Sequence, residues 1–235
     1  MEQGEPLYFI HFGCWNHGGC ADSGENPLSL LMQKLRGFIK RKAPQFITIA
    51  GDNYYPHKDK TGVEKKKIIK LHELESGFAC LPKDIPIYLM LGNHDLETSK
   101  KMEMITESGE STPVDHCFIL EKENEIIDKL NVIRPKNENR KLVMHKIVGN
   151  TLLLMLDTTM YDLEYNPEKL DPTLLCYDKL LGLPENTSTE ESLDLLQKEE
   201  VEAIISTIDE SSIKNIIMFG HNPLIFIKTN KGNLI

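Results

Sequence analysis

No apolar run in this 235-residue chain approaches the length needed to cross a bilayer. The opening residues, MEQGEPLYFI, lack the basic segment and long apolar stretch of a signal peptide, so a cytoplasmic location is expected. Basic residues are outnumbered, 27 Lys and Arg against 36 Asp and Glu, for a net charge of −9. That balance argues against a general electrostatic grip on nucleic acid or anionic membrane, and neither is expected as a partner. Cysteine is scarce and odd in number: Cys14, Cys20, Cys80, Cys117 and Cys176. Scattered in this way, they suit a reducing compartment better than a disulfide framework. They also lack the paired spacing of a zinc finger. There is no internal repeat and no low-complexity linker, so one domain over residues 1–235 is the simplest reading.

What is present is a series of apolar strands separated by helical patterns. Leu7–Gly13, Phe46–Ala50, Ile87–Leu91 and Ile213–Phe219 read as strands. Short strands are also expected at His116–Leu120, Val132–Pro135, Leu142–Val148 and Thr151–Leu156, with Gly149-Asn150 as a tight hairpin turn. Asn26 followed by Pro27 marks a helix start. Lys65–Gly77 reads as a helix with a solvated lysine face, and Thr189–Asp209 as an amphipathic helix. Tyr161–Thr189, punctuated by Pro167, Pro172 and Pro184, reads as an irregular loop. Leu224–Ile227 begins a further apolar segment.

Three strands end alike. ITIAGDNYY over 47–55, YLMLGNHD over 88–95 and IIMFGHNP over 216–223 each run from apolar residues into Gly and then Asp, Asn or His. Ligand sites in open α/β sheets lie at such strand ends. Asp52 is the natural carboxylate to bridge two cations, with Asn93 and His221 as further ligands. Such a pair binds a phosphate ester and clamps both the attacking and the leaving oxygen. His94 is placed to protonate the leaving group, and Asp95 to fix its tautomer.

At these residues the chain resembles the calcineurin-like metallophosphoesterases, and within them the purple acid phosphatase branch. GDNYY, GNHD and GHNP stand in the family's order, and LLMLDT over 153–158 resembles one of its core strands. The resemblance implies a four-layer α/β/β/α sandwich of two mixed sheets. It implies hydrolysis of phosphomonoesters by a metal-bound hydroxide at a dinuclear site of iron with zinc, manganese or iron. Tyr55, where other branches have an acidic residue, implies a ferric ligand. The substrate would be a phosphorylated small molecule or a phosphoprotein.

Two departures qualify this. The family's first motif has an aspartate after strand one; here Trp15 sets the alignment and Cys14 takes that position. A thiolate is soft and favours zinc over ferric iron. The family's GHxH motif is not found before Ile235. One metal rather than two is therefore an open outcome, as is a chain lacking its C-terminal part. The alternative function is a degenerate pseudophosphatase, a binding or scaffold module; a phosphodiesterase or protein phosphatase is a narrower option. Taken singly, Cys14 reads as a small buried hydrophobe, His17 as a surface-loop residue, and His11 and Asp157 as structural residues.

Overall fold

A computed structural model describes residues 6–21, 25–58, 66–96, 102–106, 108–115, 117–130, 132–134, 141–162, 172–209 and 211–222. The apolar segment expected from Leu224 lies outside them.

Strands β1 (Phe9–Phe12), β2 (Phe46–Ile49), β5 (Ile87–Leu89) and β8 (Val132–Ile133) form a parallel sheet in the order β1-β2-β5-β8. β9 (Met144–Val148) and β10 (Thr151–Met155) form the expected hairpin, and β11 (Asn215–Phe219) pairs parallel with β10. Gly149 turns the hairpin at φ 59°, the left-handed region that a tight turn requires.

The two sheets face each other. Phe46, Tyr88 and Met90 pack on Leu153, Met155 and Phe219, with Phe9 stacked on Phe46. Every residue of β2 and β5 is buried, as a sheet covered on both faces demands. The outer face of the parallel sheet, through Ile47, Ile49, Ile87 and Leu89, meets α1 (Pro27–Lys42), α2 (Leu71–Ala79) and α3 (Phe118–Ile127). The outer face of the hairpin sheet, through Leu152 and Leu154, meets Val201 and Ile204 of α5 (Glu190–Thr207). The expected four-layer α/β arrangement is thus formed.

The helix ends follow local chemistry. Asn26 caps α1, its side chain accepting from the Ser29 amide at 2.8 Å, and Pro27 opens the helix. Lys40, Arg41 and Lys42 sit in the last turn, where the helix dipole favours cations. Thr189 and Ser192 form a reciprocal capping box at the start of α5.

Four expectations change. Lys67–Lys70 is strand β4, not helix, because Ile68 and Ile69 are β-branched and Ile69 is fully buried. β4 joins β3 (His57–Lys58), β6 (Met102–Ile105) and β7 (Ser111–Val114) in a third sheet, where only two were expected. The strand expected at His116–Leu120 is replaced by α3, whose period runs through Ile119, Leu120, Glu123 and Ile127. The loop expected over Tyr161–Thr189 contains helix α4 (Pro172–Leu181), with proline opening it.

The cysteines give a further correction. Cys20 pairs with Cys80 and Cys117 with Cys176, leaving Cys14 as the free thiol. An odd count had hidden two bonds of the kind that oxidising compartments maintain. Among the described residues no helix is long and apolar enough to cross a membrane.

Candidate metal centre

The C-terminal ends of β1, β2, β5 and β11 deliver the residues in question. The β1 and β2 loops are laced together by Cys14 N–H to Gly51 O at 3.1 Å and by the Trp15 indole to Asn53 Oδ1 at 3.1 Å. Gly51, at φ 82°, backs directly onto Gly92. A Cβ on Gly92 would collide with the Asp52 carboxylate and the His221 ring, so the β2 and β5 loops meet only because both residues are glycine. Cys14 and Asp52 also sit at positive φ, 52° and 54°, a conformation that non-glycine residues hold chiefly where surrounding structure enforces it.

Asp52, 4 % exposed, presents its two carboxylate oxygens to two different donor sets. Oδ1 accepts the His94 amide at 3.0 Å and lies 3.5 Å from His221 Nε2. His221 Nε2 is in turn 3.2 Å from Asn93 Oδ1. Oδ2 accepts from the Tyr55 hydroxyl at 2.6 Å and from the Cys14 thiol at 3.6 Å. The ligating atoms of Cys14, Asp52 and His221 all lie within 4.8 Å of one another.

The His221 ring decides what this cluster can hold. Its Nδ1 is 2.6 Å from the Ala50 carbonyl, which can only accept, so Nδ1 carries a proton. In the neutral ring, Nε2 therefore offers a lone pair toward Asp52 Oδ1 and Asn93 Oδ1, also acceptors. Three lone pairs converging at a side chain 9 % exposed fit a cation. The backbone bond at Nδ1 is the orienting contact typical of metal-ligating imidazoles. Burial, and next the bond to Asp52, pushes the Tyr55 phenol far above its usual range. Burial also pushes the Cys14 thiol up. Both are protonated donors here and become ligands only as a cation displaces their protons.

His94 and Asp95 are the residues expected as an acid and its orienting partner. The partly buried His94 ring tilts against Tyr55, centroids 4.5 Å apart, at the edge of the donor cluster. Asp95 is fully buried and joins loops. It accepts from the amides of Asp52 (3.1 Å), Asn53 (2.7 Å) and Gly92 (2.8 Å), and from the Asn53 side chain (2.8 Å). Burial pushes its carboxyl up, while the Asn53 and Gly92 amides pull it back. Behind it lies a fully buried ion pair, Glu123 and Arg134, at 2.7 Å. This bracing role was not read from GNHD.

Cys14 is exposed at the cluster, against its single-residue reading as a buried hydrophobe. His17 is exposed on its loop, as the surface reading expects, and its ring also stacks on Tyr55 with centroids 3.8 Å apart. His11 bonds Thr48 Oγ1 at 2.9 Å within the sheet, as a structural histidine would. Asp157 is buried, accepts the Thr159 amide at 2.9 Å and does not reach the donor cluster.

Four strand-end loops on two facing sheets thus bring together a cluster of side chains able to hold a metal ion. The chain matches the calcineurin-like phosphoesterase family over residues 7–234 and belongs to it. No curated protein matches the chain in sequence.

Proposed function

We propose that this protein hydrolyses phosphomonoesters at a centre of two cations that share the Asp52 carboxylate. The observation that carries the reading is the division of Asp52: Oδ1 faces His221 and the Asn93 cluster, and Oδ2 faces Tyr55 and Cys14. A carboxylate with a donor set on each oxygen suits bridging. When bound, such ions neutralise phosphoryl charge and lower the pKa of water. Family membership supports metal-dependent phosphoester chemistry in general.

The protein's own residues supply the rest. Asp95 holds the 52–53 and 92 loops in register, so Asp52 and Asn93 keep their mutual positions. His94, beside Tyr55, gives a proton to the departing oxygen. Water oxygen bonds to phosphorus and gives up one proton to solvent, the ester P–O bond breaks, the alcohol leaves carrying the His94 proton, and His94 takes a proton back from solvent. Of the two positions, the Oδ1 side uses neutral ligands that suit zinc or manganese. The Oδ2 side offers phenol and thiol, and Cys14 biases it toward zinc over ferric iron. Tyr55 is the feature that supports the purple branch.

His94→Ala tests the acid role: turnover on an aryl phosphate should fall about a hundredfold while metal content holds. Equal loss of metal and activity would reject that role. The exposed Cys14 in place of a carboxylate supports a second reading, a pseudophosphatase that binds phosphorylated partners without turnover. Hydrolysis that persists in Cys14→Ser and disappears in Asp52→Asn would dispose of it.

A further inference from the structure

The loop after β1 is fastened at many points. Asn16 is fully buried; its Oδ1 accepts the Gly19 amide at 3.0 Å and its Nδ2 donates to Leu74 O at 3.4 Å. The Cys20 amide donates to Ser76 Oγ at 3.2 Å, and the Cys20–Cys80 disulfide ties the same point to the end of α2. On the other side Ala21 N–H donates to Ser29 Oγ of α1 at 3.0 Å. So anchored, the loop presents the exposed His17 ring flat on Tyr55, with an interplanar angle of 13°.

An open groove starts at that ring and runs along the first turns of α1. Trp15, His17, Gly19, Pro27, Leu28 and Leu31 line it. Leu31 is half exposed there with no polar role. Asn26 also borders it, but its amide is spent on the Ser29 N–H and the Gly19 carbonyl, both at 2.8 Å. Among the described lining residues, His17 thus offers the one titratable side chain. It stands between the Asp52 donor cluster and the apolar walls.

We infer that this groove is the leaving-group subsite of the centre and that it selects aryl phosphate monoesters; the assignment rests on the phosphoesterase reading above. With the phosphoryl group at Asp52 and His221, the ester oxygen lies toward Tyr55 and the alcohol passes His17 into the groove. A flat apolar ring gains burial against Leu28 and Leu31 and an aromatic neighbour in His17. A polyhydroxylated alcohol would leave its hydroxyls without partners along those walls.

The test uses the zinc-loaded chain and a Leu31→Asp variant, whose exposed position on α1 should leave folding intact, as circular dichroism will check. kcat/KM is measured for 1-naphthyl phosphate, a phosphotyrosine peptide and glycerol 2-phosphate. The variant should lose about tenfold more on the naphthyl ester than on the glycerol ester, mainly through KM. A matching loss on the peptide assigns the groove to protein substrates; a loss on the naphthyl ester alone assigns it to small ones. Equal loss on all three overturns the inference. Calorimetry with phenylphosphonate and inorganic phosphate reads the same site without turnover. The phosphonate should bind wild type about tenfold tighter than phosphate does, and Leu31→Asp should erase that margin. Equal binding overturns the groove assignment alone. A zinc-loaded chain that binds neither anion overturns the phosphoester reading and the groove with it.

Discussion

Asp95 shows what one buried carboxylate can hold together. Four N–H groups from the 52–53 and 92 segments converge on it. Asp95→Ala would leave buried donors unpaired, and we expect a stability loss of about 3 kcal/mol in urea unfolding, together with loss of metal. An unchanged unfolding midpoint would contradict the bracing role. Asp157 makes a different prediction. Burial raises its carboxyl from 3.8 to about 6. The folded protein therefore holds a proton there that the unfolded chain releases. The stabilisation is fully present below pH 4 and is lost as pH rises to 6, an order-of-magnitude change of about 3 kcal/mol. Asp157→Asn should flatten that part of the stability–pH curve, and a curve of unchanged slope would reject the assignment. The donor residues were legible because Asp52, Asn93 and His221 each follow a strand within a glycine-led motif. The role of Asp95 was not, because three of its four donors are backbone amides, which no residue type announces. The stacking of His17 on Tyr55 escaped for a similar reason: the two residues are 38 positions apart, on different loops.

At the scale of elements, strong periodicity translated well. β2, β5, the β9–β10 hairpin, α1 and α5 fall where their apolar patterns and caps place them. Failures came where two signals competed. The lysines of KKKIIK suggested a solvated helix face, but the two isoleucines between them pair with β6 and carry the strand. In α3 the apolar run was cut at Leu120, before its helical period completed through Ile127. The disulfides bear on this scale too, since Cys117–Cys176 ties α3 to α4 and Cys20–Cys80 ties the β1 loop to α2. Their partners are 59 and 60 residues apart, so sequence spacing could not pair them. Thiol titration of the denatured, unreduced chain should find one reactive cysteine, Cys14; five would contradict the pairing. Replacing Cys117 and Cys176 together by Ser should lower unfolding free energy by about 4 kcal/mol.

Over the whole molecule, two facing sheets bring loops from β1, β2, β5 and β11 to one edge, although their residues span Cys14 to His221. The order of motifs made the four-layer architecture readable, because each motif ends a strand of a known layer pattern. The third sheet had no motif and so no signal. What the architecture achieves is the convergence on Asp52, on which the functional reading depends. The most direct test of that convergence is elemental mass spectrometry of the folded chain and of Asp52→Asn after exposure to zinc, manganese and iron. A shared carboxylate predicts about two ions per wild-type chain and nearly none in the variant. No bound metal in wild type, or a metal content indifferent to Asp52→Asn, would contradict it.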